Sequence, residues 1–145
     1  MDSQQVEIAG KSILTSLFVS ENIEVAKPVR DKGIDLIIYS NKSSDKFNAI
    51  PIQLKASTNK GFSIDSKYAK FPNLHMAYVW NVGDPQKSEI FIISYQQAVQ
   101  LTNALTKYFT KHGNYAVTRP SKKFILLISK FRHEAGNMSK LVEAM

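Results

Sequence analysis

The chain has 145 residues, 43% of them hydrophobic, which is enough for one buried core and leaves little room for a second domain. It contains no cysteine, which excludes disulfides and thiolate zinc sites and favours a reducing cytoplasm. Lys and Arg number 19 against 12 Asp and Glu, and this excess favours a polyanionic partner.

Neither a membrane span nor a secretory signal is visible in the chain. No apolar run approaches the roughly 18 residues that a spanning helix needs. The first five residues have neither the basic region nor the apolar stretch of a signal peptide. We therefore expect a cytoplasmic protein that does not insert into a membrane.

The positive charge is concentrated in two regions. Residues 107–145 carry eight Lys and Arg against two Asp and Glu, and residues 42–70 carry six lysines against two aspartates. Such a field binds a phosphate backbone without reading bases, although each lysine taken alone is better explained as a solvated loop charge. The residues that we expect to contact nucleic acid are Lys42, Lys46, Lys60, Lys67, Lys70, Lys122, Lys123 and Arg132.

The first third of the chain predicts a helix followed by strands. Apolar residues recur at helical spacing over residues 4–20, and Glu7 falls on the flank of this apolar stripe. A first strand is predicted over residues 22–29, a tight turn over residues 30–33, and a second strand over residues 34–39.

The middle of the chain predicts a third strand and a long basic connection. Residues 48–56 read as a strand, in which Pro51 indicates an edge or a bulge. Residues 57–74 are polar and basic and predict a loop with one short helix near residues 66–70.

The second half continues with alternating elements. Two strands are predicted over residues 75–82 and 89–93, a helix over residues 95–109, and a short strand over residues 115–117. Residues 119–131 fit either a helix or a strand, and we favour the helix.

Together these elements predict an α/β fold with a mixed central sheet of about five strands flanked by helices. We expect residues 1–145 to form a single domain that ends in a basic helical extension from about residue 119 to residue 145.

Asp35, Gln53 and Lys55 are the main candidates for a site. Asp35 lies in an otherwise apolar strand, where a carboxylate needs a partner. In the strand over residues 48–56 the two-residue period places Gln53 and Lys55 on one face. If the two strands form a hairpin, the three side chains converge.

These residue types suit the hydrolysis of a phosphodiester. A hard cation held by a few oxygens neutralises the phosphate and activates water. Asp35 offers an anionic oxygen, and the side-chain carbonyl of Gln53 and the main-chain carbonyl of Leu54 offer neutral ones. Lys55 is placed to orient the water, lower its pKa or stabilise charge on phosphorus, and the sequence leaves these three roles open.

The order of these elements and motifs resembles the PD-(D/E)xK nuclease superfamily, which has the restriction-endonuclease-like fold. Glu7 lies in the first helix, Gly33-Ile34-Asp35 on the second strand and Gln53-Leu54-Lys55 on the third. This pattern of motifs, G-x-D followed by Q-x-K, is similar to that of the branches related to Mrr-type restriction enzymes and archaeal Holliday junction resolvases. The resemblance covers roughly residues 4–95.

The resemblance implies an endonuclease that uses Mg²⁺ or Mn²⁺ to cut DNA in defence or DNA processing. Asp35, Gln53, Lys55 and Glu7 would be its catalytic residues, and Asp35, Gln53, Leu54 and Glu7 its metal ligands. Glu7 would bind the ion through water or complete a second ion site. RNA as the substrate and a homodimer as the active form are left open.

Gln53 occupies the place of the usual acid, and Ile34 that of the proline for which the superfamily is named. The missing negative charge favours an alternative function, a catalytically inactive nucleic-acid-binding module on the same fold. Each residue also has a purely structural explanation. Asp35 is suited to capping a turn, Gln53 and Lys55 to the polar face of an edge strand, and Glu7 to the helix dipole.

Overall fold

The structure, a computed structural model, describes residues 1–42 and 45–144, which form an α/β fold. Five α-helices, seven β-strands and one 3₁₀ turn are present in these two ranges. In chain order they are α1 (Ser3–Ser20), β1 (Glu24–Ala26), β2 (Leu36–Tyr39), β3 (Ala49–Ala56), β4 (Phe62–Asp65), the 3₁₀ turn (Ser66–Lys70), β5 (His75–Trp80), β6 (Glu89–Ser94), α2 (Tyr95–Asn103), α3 (Tyr108–His112), β7 (Asn114–Val117), α4 (Lys122–Ser129) and α5 (Asn137–Ala144).

Five strands form a mixed sheet in the order β1-β2-β3-β5-β6. β2 runs antiparallel to both β1 and β3, β5 lies parallel to β3, and β6 is antiparallel to β5. The remaining strands, β4 and β7, form a separate antiparallel pair. The expected mixed sheet of five strands flanked by helices is therefore confirmed.

The sheet is buried on both faces, and β5 shows why. Met76, Tyr78 and Trp80 point into an apolar cluster that also contains Phe62 of β4 and Phe124 of α4. The intervening residues Ala77 and Val79 join a second cluster, which contains residues of α1, β2, β3 and α5. Because successive strand residues point to opposite faces, a strand buried on both sides must be apolar throughout.

α1 begins and ends within one residue of its predicted bounds. α1 begins with a capping box, in which the side chain of Asp2 accepts from the main-chain N–H of Gln5 and the side chain of Gln5 accepts in return. Residues 122–129 are helical, so the helix that we favoured over a strand near residues 119–131 is confirmed. No helix in the described part of the chain is long and apolar enough to cross a membrane.

Of the two alternatives for Pro51, an edge or a bulge, the edge strand is wrong, because β3 lies in the middle of the sheet. The carbonyl of Ile52 accepts from the main-chain N–H of Asp35, so the backbone polar groups of Ile52 face β2 and those of Pro51 face β5. Pairing with β5 starts only at Ile52. The missing N–H of Pro51 therefore costs no ladder bond.

Three other boundaries differ from the sequence prediction. Asp35 lies one residue before β2 and not inside it. The expected loop over residues 57–74 contains the predicted short helix but also β4, whose partner β7 is about fifty residues away in sequence and invisible to local patterns. The predicted helix over residues 95–109 is interrupted, because α2 ends at Asn103 and α3 begins at Tyr108.

Candidate metal centre

A glycine lets α1 lie close against the carboxyl end of β3. A Cβ added at Gly10 would lie 2.6 Å from Cβ of Ala56, so any larger residue would push the helix away. Glu7 and Lys11 flank Gly10 at positions i−3 and i+1, a spacing of four residues that places their side chains next to each other. The close approach therefore carries both charged side chains to the end of the sheet.

A second glycine shapes the turn before β2. Gly33 has a φ of +98°, and its N–H donates to Oδ1 of Asp31 at 3.2 Å. An added Cβ here would also lie 3.1 Å from Cε2 of Phe71. The turn brings Asp31 back beside Asp35, only four residues further along.

Asp35 is held by the backbone of β3. Its main-chain N–H donates to the carbonyl of Ile52 at 2.8 Å, and its Oδ2 accepts from the N–H of Leu54 at 2.7 Å. Pairing between β2 and β3 starts at Leu36 opposite Ile52. The next N–H of β3 that points toward β2 is that of Leu54, and it has no partner in that strand. The Asp35 carboxylate takes that place and is only 6% exposed.

Three carboxylates share this end of the sheet. One oxygen each from Glu7, Asp31 and Asp35 lie within 4.8 Å of one another. Lys11 is the cation beside them, with its Nζ 3.3 Å from Oε1 of Glu7 and 3.7 Å from Oδ1 of Asp35. Burial raises the pKa of Asp35 to about 6; the Asp31 carboxylate adds to the rise, and the Leu54 N–H and Lys11 oppose it.

Gln53 is buried next to these acids, with 7% of its surface exposed. Its Nε2 donates to the carbonyl of Leu54 at a long 3.4 Å, and its Oε1 is buried with no hydrogen-bond partner among the described residues. A buried amide oxygen without a donor is costly. The carbonyl oxygen of Gln53 is therefore an unused acceptor, on a residue that lines the same cavity as the three carboxylates.

Lys55 lies two residues further along β3. Its Nζ donates to the hydroxyl of Tyr68 at 3.1 Å and lies 5.3 Å from the centre of the same ring. Tyr68 is buried in the 3₁₀ turn and lies against the space that a side chain at Gly33 would occupy. One aromatic residue thus contacts both the lysine and the turn that carries Asp31.

An open cavity of about 510 Å³ joins these residues. Its walls include every residue that the sequence proposed as catalytic or metal-binding, together with one acid that it did not propose. These lining residues are Glu7, Asp31, Asp35, Gln53, Leu54 and Lys55. The structure therefore brings the proposed set into one place, with Glu7 and Asp31 at its exposed rim.

The cations proposed to contact nucleic acid do not form one surface. Lys42 and Lys46 lie between β2 and β3, at the end of the sheet opposite the cavity, and Lys42 pairs with Glu143 at 3.3 Å. Arg132 is paired with Glu89 at 2.6 Å and lies over the ring of Phe91. These three are separated from the cavity or already paired.

The other proposed cations are distributed as follows. Lys60 is exposed and follows Asn59, which lines the cavity. Lys67 and Lys70 lie on the 3₁₀ turn, over the rings of Tyr68 and Phe71 at 5.2 and 5.1 Å. Lys122 and Lys123 are exposed in the first turn of α4. Of the eight, Lys60, Lys67 and Lys70 belong to segments that contact the site.

Sequence reasoning missed Asp31, Lys11 and Tyr68. Lys11 follows Glu7 by four residues in a predicted helix, which is the spacing of a helical ion pair and could have drawn attention to it. Asp31 was read only as part of a turn, although a turn that reverses the chain places its residues beside the next strand. Tyr68 carries no local signal, because its contact with Lys55 spans thirteen residues and depends on the tertiary fold.

Comparisons with known proteins do not assign the site. No protein-family model matches the chain, and neither the curated proteins nor the solved structures give a significant match. The chemistry of the site must be read from its own donor atoms. These are carboxylate, amide and main-chain oxygens, the set that hard divalent cations prefer.

Proposed function

We propose that this protein is a Mg²⁺- or Mn²⁺-dependent endonuclease that hydrolyses phosphodiester bonds in DNA. One observation carries the proposal. One carboxylate oxygen each from Glu7, Asp31 and Asp35 lies within 4.8 Å of the others. The cavity that these acids line is also lined by Gln53, whose Oε1 is buried without a partner among the described residues. One bound cation would reduce the repulsion between the acids and would give the unused acceptor a partner.

The donor set fits such an ion. Asp35 has one oxygen bonded to the Leu54 N–H, which fixes its orientation, and its Oδ1 faces Lys11 and the cavity side of the cluster. Gln53 would supply a neutral oxygen, and Glu7 and Asp31 would add charge from the rim. A bound divalent cation would neutralise the phosphate and lower the pKa of water.

Lys55 is the residue that we propose acts on the reacting groups. It is partly exposed at the cavity, and the Tyr68 hydroxyl holds its Nζ at 3.1 Å. A cation fixed in this way can orient water or stabilise negative charge that develops on phosphorus, and it needs no rearrangement to do so. Tyr68 then acts as a positioning residue.

The two motifs support membership of the PD-(D/E)xK superfamily, which we also propose. Asp35 of the first motif and the whole of Gln53-Leu54-Lys55 line one cavity at the end of a mixed sheet, with Glu7 on the helix packed against it. We propose DNA as the partner, the cytoplasm as the location, and defence or DNA processing as the role. A homodimer would serve to cut both strands, and light scattering tests it.

A second candidate is a nucleic-acid-binding module without catalysis. Gln53 in place of an acid favours it, because the site has one negative charge fewer with which to hold a cation. The ion pairs of Lys11 with Glu7 and Asp35 also favour this second candidate, because these carboxylates already have a counterion. Such a module would bind DNA or RNA with a steep salt dependence and would be insensitive to chelator.

The test is cleavage of supercoiled plasmid, a four-way DNA junction and RNA, with Mg²⁺, Mn²⁺ or EDTA. We expect metal-dependent cleavage of DNA that falls by on the order of a hundredfold in Asp35→Asn and in Lys55→Met. Lys87→Met is the matched control, because Lys87 pairs with Asp84 in an exposed loop and does not line the cavity. It should cut like the wild type.

Binding of DNA without cleavage, unchanged by EDTA and by Asp35→Asn, would replace this proposal with the second candidate. An absence of cleavage together with an absence of Mn²⁺ binding would reject the metal site itself. Cleavage that persists at full rate in Asp35→Asn would place the active site elsewhere.

A further inference from the structure

Lys11 is the cation nearest to the proposed ion site. Its Nζ lies 3.3 Å from Oε1 of Glu7 and 3.7 Å from Oδ1 of Asp35, and its side chain is 26% exposed. An ordinary helical pair with Glu7 would be exposed and would not reach the sheet. Here the same ammonium group is also close to a buried carboxylate of another element.

The oxygen that Lys11 approaches is the one that a metal ion would use. Oδ2 of Asp35 accepts from the Leu54 N–H at 2.7 Å, so Oδ1 is its more available oxygen. Lys11 lies on the Oδ1 side, and Glu7, the other partner of Lys11, is a member of the same acidic cluster. A divalent cation and the ammonium group therefore compete for the same two carboxylates.

The unpartnered Oε1 of Gln53 indicates which of the two cations completes the site. Lys11 neutralises carboxylates, but Oε1 of Gln53 has no donor among the described residues even with Lys11 in place. Gln53 lines the same cavity as the acidic cluster. An amide oxygen that stays unused while Lys11 is in place favours a hard divalent cation, which takes amide as well as carboxylate oxygens as ligands.

We infer that Lys11 is an internal counterion that a divalent cation must displace, so that Lys11 sets the affinity of the site for its metal. The inference rests on the proposed function. Two cations at such distances repel each other strongly in a partly buried site. The four-carbon stem of lysine allows the ammonium group to swing away toward solvent without moving the helix.

The test is Mn²⁺ binding, measured by electron paramagnetic resonance and by calorimetry on the full chain at pH 8, above the pKa of about 6 to which burial raises Asp35. We expect Lys11→Met to bind Mn²⁺ about fivefold more tightly than the wild type, because an ion pair worth about 1 kcal/mol no longer has to be broken. Lys11→Arg keeps the charge and should bind close to wild type. Lys87→Met, which removes a paired lysine outside the cavity, should also bind like wild type.

The outcomes separate this inference from the proposed function. If no variant and no wild-type protein binds Mn²⁺, the metal site fails and the inference fails with it. If the wild type binds Mn²⁺ and Lys11→Met binds equally or more weakly, the inference is overturned and the metal site stands. Should Lys11→Met fold poorly, Lys11→Gln replaces it, with the rise in melting temperature on adding Mn²⁺ as the second readout.

Discussion

Glu21 and Asp35 are both largely buried carboxylates, and their surroundings differ sharply. Glu21 follows α1, and its Oε2 lies 2.7 Å from Nε2 of His133 while its Oε1 accepts from the N–H of Gly136, also at 2.7 Å. Asp35 receives one main-chain N–H and lies beside two other acids, with Lys11 at 3.7 Å. One carboxylate has a donor at each oxygen, whereas the other is crowded by like charge.

The difference separates a structural carboxylate from one that we propose to be functional. Glu21 joins the end of α1 to the segment before α5, across more than a hundred residues of sequence, and the hydroxyl of Ser139 adds a bond to its carbonyl at 3.2 Å. Every donor there serves the fold. Around Asp35 the charge is incompletely balanced, and such an arrangement persists in a folded protein chiefly where a ligand or a reaction uses it.

The largest effect should come from Glu21. We expect Glu21→Ala to lower the free energy of unfolding by about 3 kcal/mol, because it leaves the buried ring of His133 and the N–H of Gly136 without their acceptor. Urea denaturation at neutral pH measures this loss. Mn²⁺ binding of the folded fraction should be unchanged.

A matched variant is Glu143→Ala, which removes an exposed ion pair with Lys42 and should cost less than about 1 kcal/mol. Equal losses in the two variants would show that Glu21 is no more important than a surface acid. Glu21 could then no longer be contrasted with Asp35 as a carboxylate that stabilises the fold.

Much of the fold could be predicted from local patterns. Apolar residues at a period of 3.6 predicted α1, and continuous apolar runs predicted β5 and β6, because buried helices and strands produce such patterns directly in the sequence. Pairings between distant segments leave none. The β4–β7 ladder and the contact of Glu21 with His133 join residues roughly fifty and 112 positions apart, so no window contains both partners.

The site residues also fall into those that local patterns predict and those that only tertiary packing places. Strand period placed Gln53 and Lys55 on one face, and the hairpin placed Asp35 opposite them. Asp31 and Lys11 were not predicted, since their roles depend on how closely a turn and a helix approach the sheet. That approach is set by the absence of a side chain at Gly33 and Gly10, which a sequence shows only as two glycines.

The next effect in size tests the crowded carboxylate. We expect Asp35→Asn to be more stable than the wild type by about 2 kcal/mol at pH 7.5 in EDTA, because it removes a charge that burial and Asp31 disfavour. The main-chain bond from Leu54 can be kept by the amide oxygen. The variant should at the same time lose Mn²⁺ binding.

The sign of the pH dependence follows from the raised pKa. The unfolded chain releases the Asp35 proton near pH 3.8, whereas the folded protein holds it until about pH 6. Between these values the folded state binds more protons, so wild-type stability falls relative to Asp35→Asn as pH rises and levels off above about 6. Denaturation at several pH values measures the difference, and a constant difference from pH 4 to pH 8 would contradict it.

The smallest effect comes from an uncharged group, the buried side-chain amide of Gln53. Gln53→Met keeps a side chain of similar length but removes the buried oxygen that has no donor, so we expect a gain of about 1 kcal/mol in metal-free buffer. Thr15→Val is the control, because Oγ1 of Thr15 is the other buried side-chain atom found without a partner in the described ranges. Both variants should gain stability to a similar extent. If Oε1 of Gln53 is a ligand, only Gln53→Met should also lose affinity for Mn²⁺. Equal Mn²⁺ binding in the two variants would show that this oxygen is a buried unsatisfied acceptor with no role in metal binding.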